Sequence, residues 1–189
     1  MNGISGLVLA GGMGRRMDSR DKGLVEFRGK PMVAHVIERL APQVDTLIIN
    51  ANRNLDQYGA FGHPVISDEV GGFAGPLAGL HAGLGVCTTP FIVTVPCDSP
   101  FLPADLVARL YEALQENIAE LAVAKTGDQA QPVFALYSAT LLPSLTQFLE
   151  SGGRKIDAWY ATHRMVEVPF ADEAAFANIN TIAELQQLQ

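Results

Sequence analysis

Apolar and polar positions alternate along the chain in two textures, and the switches between them mark out the elements. Short runs of aliphatic, often β-branched residues read as buried strands: Ile4–Ala10, Thr46–Asn50, Phe91–Val95 and Val133–Tyr137, with a shorter one at Pro64-Val65-Ile66. Between them the apolar residues fall at helical spacing. Val33, Val36, Ile37 and Leu40 recur at i, i+3, i+4 and i+7 behind Pro31, a residue suited to the first turn of a helix. Pro76 opens Leu77–Leu84, and Pro103 opens Asp105–Gln115, where Leu106, Val107, Leu110 and Leu114 share one face. Thr181-Ile182-Ala183-Glu184 forms a capping box ahead of Leu185 and Leu188.

Strands that are apolar on both faces and alternate with helices predict an α/β fold, with a mainly parallel sheet covered by helices on both sides. No linker, repeat or low-complexity segment interrupts the pattern, so residues 1–189 are expected to form one doubly wound domain. Ligands of such folds gather beyond the carboxyl ends of the strands, which directs attention to the residues just after each strand.

Charge sharpens that expectation. With 13 Lys and Arg against 20 Asp and Glu, the net charge is −7. An acidic protein makes a poor nucleic-acid surface, and an anionic ligand would need a local set of cations and backbone N–H groups. No apolar run is long enough for a membrane span, and no signal peptide is visible. Cys87 and Cys97 are too few for a disulfide framework, so a reducing, cytoplasmic setting is expected.

The local cations stand after the first strand. Leu9-Ala10-Gly11-Gly12-Met13-Gly14-Arg15-Arg16-Met17 is followed by Asp21-Lys22-Gly23. The glycines let the backbone curl and aim N–H groups at an anion, and Arg15, Arg16 and Lys22 supply charge. The dinucleotide pattern fails because Met17 stands where its last glycine belongs, and no Gly-Lys-Ser/Thr ends the loop as a Walker motif would. A plain glycine-rich turn with a solvated basic edge is the alternative.

Leu-Ala-Gly-Gly-x-Gly-x-Arg-Met followed by Asp-Lys-Gly resembles the signature loop of the Rossmann-like nucleotidyltransferases. Four further segments, in order, resemble the molybdenum cofactor guanylyltransferases within that class: Asn50-Ala51-Asn52-Arg53, Ser67-Asp68, Gly75-Pro76-Leu77-Ala78-Gly79 and Pro96-Cys97-Asp98-Ser99-Pro100, with Asn178-Ile179-Asn180-Thr181 closing the series. The resemblance implies transfer of GMP from GTP to molybdopterin, and an active site whose residues can be carried over by motif. Leu9, Ala10 and Gly11 would touch base and sugar. Gly12 to Arg16 would wrap the triphosphate, and Lys22 would neutralise charge at the α-phosphate. Asn50 and Asp68 would contact the guanine nucleotide, while Asp98 would hold Mg²⁺ and the phosphates. Lys22, Asp98 and Arg16 are thus the catalytic candidates. Gly79, Arg154 and Asn180 are the acceptor-side candidates, with Asn178 and Gln131-Pro132 nearby. Departures are Asp18, where relatives often carry Gly, and Ile182, where they often carry Pro.

Each assignment has a structural alternative. A carboxylate at a strand end suits Mg²⁺, which takes one or two carboxylates plus phosphate oxygens, but Asp before Ser-Pro also caps turns. Asn50 and Asp68 are common turn formers, Gly75 and Gly79 permit close helix packing, and Gly152-Gly153-Arg154-Lys155 reads equally as a solvated basic turn. His35, His63, His81 and His163 lack metal-site spacing, and Cys97 has no histidine near it in sequence to activate it as a nucleophile. The nearest rival functions are a cytidylyltransferase for the molybdenum cofactor or another small-molecule phosphate nucleotidyltransferase. A non-catalytic nucleotide-binding module is the rival of a different class. Nothing announces a subunit interface, so a monomer is the default. Hand-over of the product implies transient contact with molybdoenzymes or their chaperones.

Overall fold

The structure, a computed structural model, describes residues 3–12, 21–70 and 75–179. Its strands are β1 (Ile4–Leu9), β2 (Glu26–Phe27), β3 (Lys30–Pro31), β4 (Thr46–Asn50), β5 (Val65–Ile66), β6 (Phe91–Pro96), β7 (Leu121–Thr126), β8 (Gln129–Ser138) and β9 (Met165–Phe170). The helices are α1 (Met32–Leu40), α2 (Leu55–Gly59), α3 (Pro76–Val86), α4 (Leu106–Glu116), α5 (Leu142–Glu150) and α6 (Ile156–Tyr160).

Seven strands form one sheet in the order β5-β4-β1-β6-β8-β7-β9. β8 alone runs against the rest: it pairs antiparallel with β6 and β7, whereas β1, β4, β5 and β6 are mutually parallel and β9 is parallel to β7. The chain leaves β1 for β4 on one side and later returns to β6 on the other. The carboxyl end of β1 is therefore the point where the strand order reverses, the usual place for a ligand crevice.

The period-2 alternation of each strand feeds two cores. Ile4, Val8, Leu47, Ile49, Val93, Val95, Ala122 and Leu136 face one layer, shared with α1 and α4. Leu7, Ile48, Ile92, Leu121, Val123 and Tyr137 face the other, shared with α3, α5 and α6. Glycines decide how closely α3 approaches: a Cβ on Gly83 would lie 2.5 Å from Leu7 Cδ2. A third, small core joins Phe27 and Met32 to Ile179, which brings the distal chain back beside β6.

The predicted helices form, with small shifts in their starts. Pro31 precedes α1 rather than lying in its first turn, while Pro76 does occupy the first turn of α3. Gln131 and Pro132, expected ahead of a strand, lie within β8 beside an irregularity in its pairing with β7. At the β9 edge, the Arg109 guanidinium lies 4.0 Å from the centre of the Phe170 ring and donates to the Pro169 carbonyl. Among the described residues no helix is long and apolar enough to cross a membrane. The capping box at Thr181–Glu184 falls outside the described residues.

Candidate active site

The carboxyl ends of β1, β4, β5 and β6 bring most of the predicted residues to one crevice. The backbone fixes the arrangement: the Ala10 N–H donates to the Asn50 carbonyl at 2.8 Å, and the Cys97 N–H donates to the Leu9 carbonyl at 3.1 Å. Gly11 and Asp98 thus follow neighbouring strands, with Asn50 on the opposite flank of β1.

On that flank stands a built cluster. Asn50, only 2 % exposed, donates from Nδ2 to Asp68 Oδ1 at 2.9 Å, and Asn52 Nδ2 donates to the other carboxylate oxygen at 2.8 Å. Asn52 Oδ1 in turn accepts the Asp68 backbone N–H at 2.9 Å. These bonds hold the Asp68 carboxylate rigidly, which a turn former would not require. Gly11, just beyond β1, lies against the cluster: a Cβ there would lie 2.8 Å from Asn52 Nδ2 and 3.0 Å from Asn50 Oδ1. Gly79 lies beneath it, where a Cβ would come within 2.4 Å of Asn50 Oδ1 and 2.6 Å of Leu9 Cδ2. The residue expected on the acceptor side therefore faces Asn50 and Leu9.

On the other flank Lys22 Nζ lies 3.2 Å from Asp98 Oδ2, with 22 % and 11 % of the two side chains exposed. Seventy-six positions separate them in the chain, and the fold brings them together. The Asp98 carboxylate thus meets a cation, and the residue that precedes α4 as its N-cap is Asp105. The Asp98 backbone is clamped as well: its carbonyl accepts the Ile179 N–H at 2.9 Å, and the Ser99 hydroxyl donates to Asn178 Oδ1. Asn178 is in this way spent on the loop that carries Asp98.

Among the described residues no group of three or more His, Cys, Asp and Glu could hold a metal ion. One largely buried carboxylate at a strand end is nonetheless the donor set that suits Mg²⁺ arriving with phosphate oxygens and water. The Cys97 thiol is buried, and burial, reinforced by the carboxylates of Asp98 and Asp21, holds its pKa well above the usual range. It packs as a small apolar residue and is no thiolate nucleophile. His35, His81 and His163 hydrogen-bond within the fold, to the Phe27 carbonyl, Thr146 and Ser144. A hollow of about 340 Å³ lies beside Asp21. Its described lining, Asp21, Leu24, Val25, Glu26, Asn54 and Gln57, includes two carboxylates.

Arg154 is bonded at the end of α5. Its Nη1 donates to the Leu149 and Gly153 carbonyls at 2.9 and 2.7 Å, where it caps α5. Gln131 donates to Thr126 Oγ1 at 2.9 Å. Arg16 and Asn180 lie outside the described residues. Asn52, Asp21 and Tyr58 were not singled out from sequence. The first had a readable signal, since Asn52 stands just beyond the strand end that carries Asn50.

Residues 6–166 match the MobA-like NTP transferase domain. A protein of Ralstonia nicotianae named molybdenum cofactor guanylyltransferase is 56 % identical, covering 98 % of this chain and 95 % of its own. The chain belongs to the MobA-like NTP transferase family. Another relative of that name, from a Shewanella species, is 53 % identical over 98 % of this chain and 94 % of its own. Among solved structures, molybdopterin-guanine dinucleotide biosynthesis protein A of Archaeoglobus fulgidus superposes with a TM-score of 0.78 at 26 % identity, covering 97 % of this chain and 96 % of its own. The MobA-like architecture extends to a 4-diphosphocytidyl-2C-methyl-D-erythritol synthase of Anaerococcus prevotii, at a TM-score of 0.74 and 12 % identity over 99 % and 96 % of the two chains, which speaks for the fold alone.

Proposed function

We propose that the chain is a guanylyltransferase that moves GMP from GTP to the terminal phosphate of molybdopterin, releasing pyrophosphate. The observation that carries this reading is the pairing of Lys22 with Asp98 at the strand-order reversal, directly opposite the Asn50–Asp68–Asn52 cluster. Relatives at 56 % identity that are named for this reaction support it.

The nucleoside half lies on Leu9, Ala10 and Gly11, with Asn50 and Asp68 reading the base. Guanine presents N1–H and N2–H donors side by side, and a carboxylate held by two amides keeps lone pairs for both. Gly12 and Arg16 belong to the loop that wraps the triphosphate. Lys22 brings its side chain to the α-phosphate, where negative charge builds as an oxygen of the acceptor phosphate bonds to the α-phosphorus and the bridging P–O bond to pyrophosphate breaks. A divalent cation, which we take to be Mg²⁺, would be held by Asp98 with phosphate oxygens and would neutralise charge on the triphosphate. Arg154 and Asn180 are the acceptor-side residues of this reading. Two free thiols, Cys87 and Cys97, support a reducing cytoplasm, and hand-over to molybdoenzymes or their chaperones would be transient.

Calorimetric binding of GTP, CTP, ATP and UTP with Mg²⁺, followed by pyrophosphate release on addition of molybdopterin, tests the assignment. GTP preference with molybdopterin-dependent release is expected. Preference for CTP would move the chain to cytidylyl transfer, and binding without release would make it a nucleotide-binding module.

A further inference from the structure

Lys22 begins a single 3-10 turn, Lys22–Leu24, too short to hold its own shape. Its neighbours are anchored instead, one on each side. The Asp21 carboxylate accepts the Tyr58 hydroxyl at 2.5 Å and the Asn54 amide at 3.0 Å. Gly23 lies flat against the same phenol, since a Cβ there would meet the Tyr58 hydroxyl oxygen at 2.5 Å and Cys97 Sγ at 3.2 Å.

Both anchors therefore converge on Tyr58, which is completely buried on α2. Burial pushes the phenol well above its usual range, so it stays a protonated donor to Asp21. Asn54, which starts α2, takes the left-handed backbone conformation at φ 52° and ψ 36°, one that asparagine tolerates better than most residues. That conformation sends the chain into α2 directly from the segment holding Asn50, Asn52 and Arg53. The same helix start thus touches the arm of Lys22 and continues the base-reading strand.

We propose that Tyr58 and Asn54 are positioning residues for Lys22: by gripping Asp21 and seating Gly23 they aim the lysine beside Asp98 and tie that aim to the nucleoside side of the crevice. This inference rests on the assignment of Lys22 to the reacting phosphate. Hydrogen bonds to a carboxylate are among the stronger ones, and a misplacement of about 1 Å at a reacting centre costs on the order of 10²-fold in rate. Losing one of two donors leaves a partial hold, so about a 10-fold loss in kcat is expected for each.

The test uses Tyr58→Phe and Asn54→Gly, each alone and on a Lys22→Ala background. Asn54→Gly keeps the left-handed backbone accessible and removes only the amide. Single-turnover pyrophosphate release with GTP, Mg²⁺ and molybdopterin reads even a slow residual rate, and calorimetry reads GTP affinity. The expected result is a loss in rate of about 10-fold for either variant, GTP affinity within about 2-fold of the parent, and no further loss on the Lys22→Ala background. Parental rates in the single variants, or losses that multiply with Lys22→Ala, overturn the inference. A Lys22→Ala protein as fast as the parent overturns the underlying assignment of the lysine, and an inactive parent overturns the proposed function; the two failures are read separately. Should Tyr58→Phe not fold, the exposed Asn54→Gly carries the test alone.

Discussion

Adding one methyl group at Gly79 puts the crevice under a defined load. The new carbon would lie 2.4 Å from Asn50 Oδ1 and 2.6 Å from Leu9 Cδ2, against an ordinary contact of 3.4 Å or more. Leu9 can rotate aside. Asn50 cannot, because it is buried and its amide is committed to Asp68 at 2.9 Å. Overpacking of this kind costs about 1–3 kcal/mol, and replacing a helical glycine by alanine returns about 1 kcal/mol. The net loss is up to about 2 kcal/mol, which for a domain of this size lowers Tm by up to roughly 8 °C. Gly85 on the same helix meets nothing within 4 Å. Gly85→Ala should therefore raise Tm by roughly 1–4 °C. Displacing Asn50 also disturbs the Asp68 carboxylate, so GTP affinity of Gly79→Ala should fall at least about 10-fold while Gly85→Ala binds normally. Thermal melts and calorimetry on the pair decide the matter. If Gly79→Ala melts no lower than its parent and binds GTP equally well, the packing argument for this glycine is wrong.

Asp98→Ala should lower pyrophosphate release by about 10²–10³-fold with Tm within a few degrees of the parent, and a large fall in Tm would mark Asp98 as a structural turn residue. Asp68→Asn sets an amide donor against Asn50 or Asn52, so GTP affinity should drop about 10-fold or more while ATP and CTP change less. An equal loss for all nucleotides in the same calorimeter would remove Asp68 from base reading. On the alkaline side, burial first of all raises the Cys97 thiol and the Tyr58 and Tyr160 phenols, and pushes Tyr137 up to about 12. Each is a neutral acid favoured in the folded state, so its contribution is complete below its unfolded pKa and lost as pH rises beyond it. Tm should hold steady up to about pH 8, where an unfolded thiol begins to ionise, and fall above it; a flat profile to about pH 11 would contradict this.

Sequence reading reached the parts of the fold where periodicity and chemistry coincide. β1, β4 and β6 are aliphatic runs that lead to Gly11, Asn50 and Asp98, and the structure brings those positions to one end of the sheet. β7 and β9 were not anticipated. Leu121-Ala-Val-Ala-Lys-Thr126 is rich in alanine, which signals no strand, and β9 carries Pro169, which argues against one until its edge position is known. The reversal of β8 was equally invisible, because an antiparallel strand buried on both faces has the same composition as a parallel one. In the site, the Lys22–Asp98 contact was implicit in two motifs. The grip of Tyr58 on Asp21 was not, since it depends on where a short helix sets down a single phenol.

The edge that closes the sheet has a consequence for crowded solution. A strand with open N–H and C=O groups is a template on which another molecule can add a strand of its own. β9 offers that template incompletely: Pro169 has no N–H to give, its carbonyl already accepts Arg109, and that guanidinium is held over the Phe170 ring. An incoming strand would have to dislodge the arginine and then leave one of its own acceptors without a donor. The same three residues that finish the sheet at β9 also hinder it from growing there.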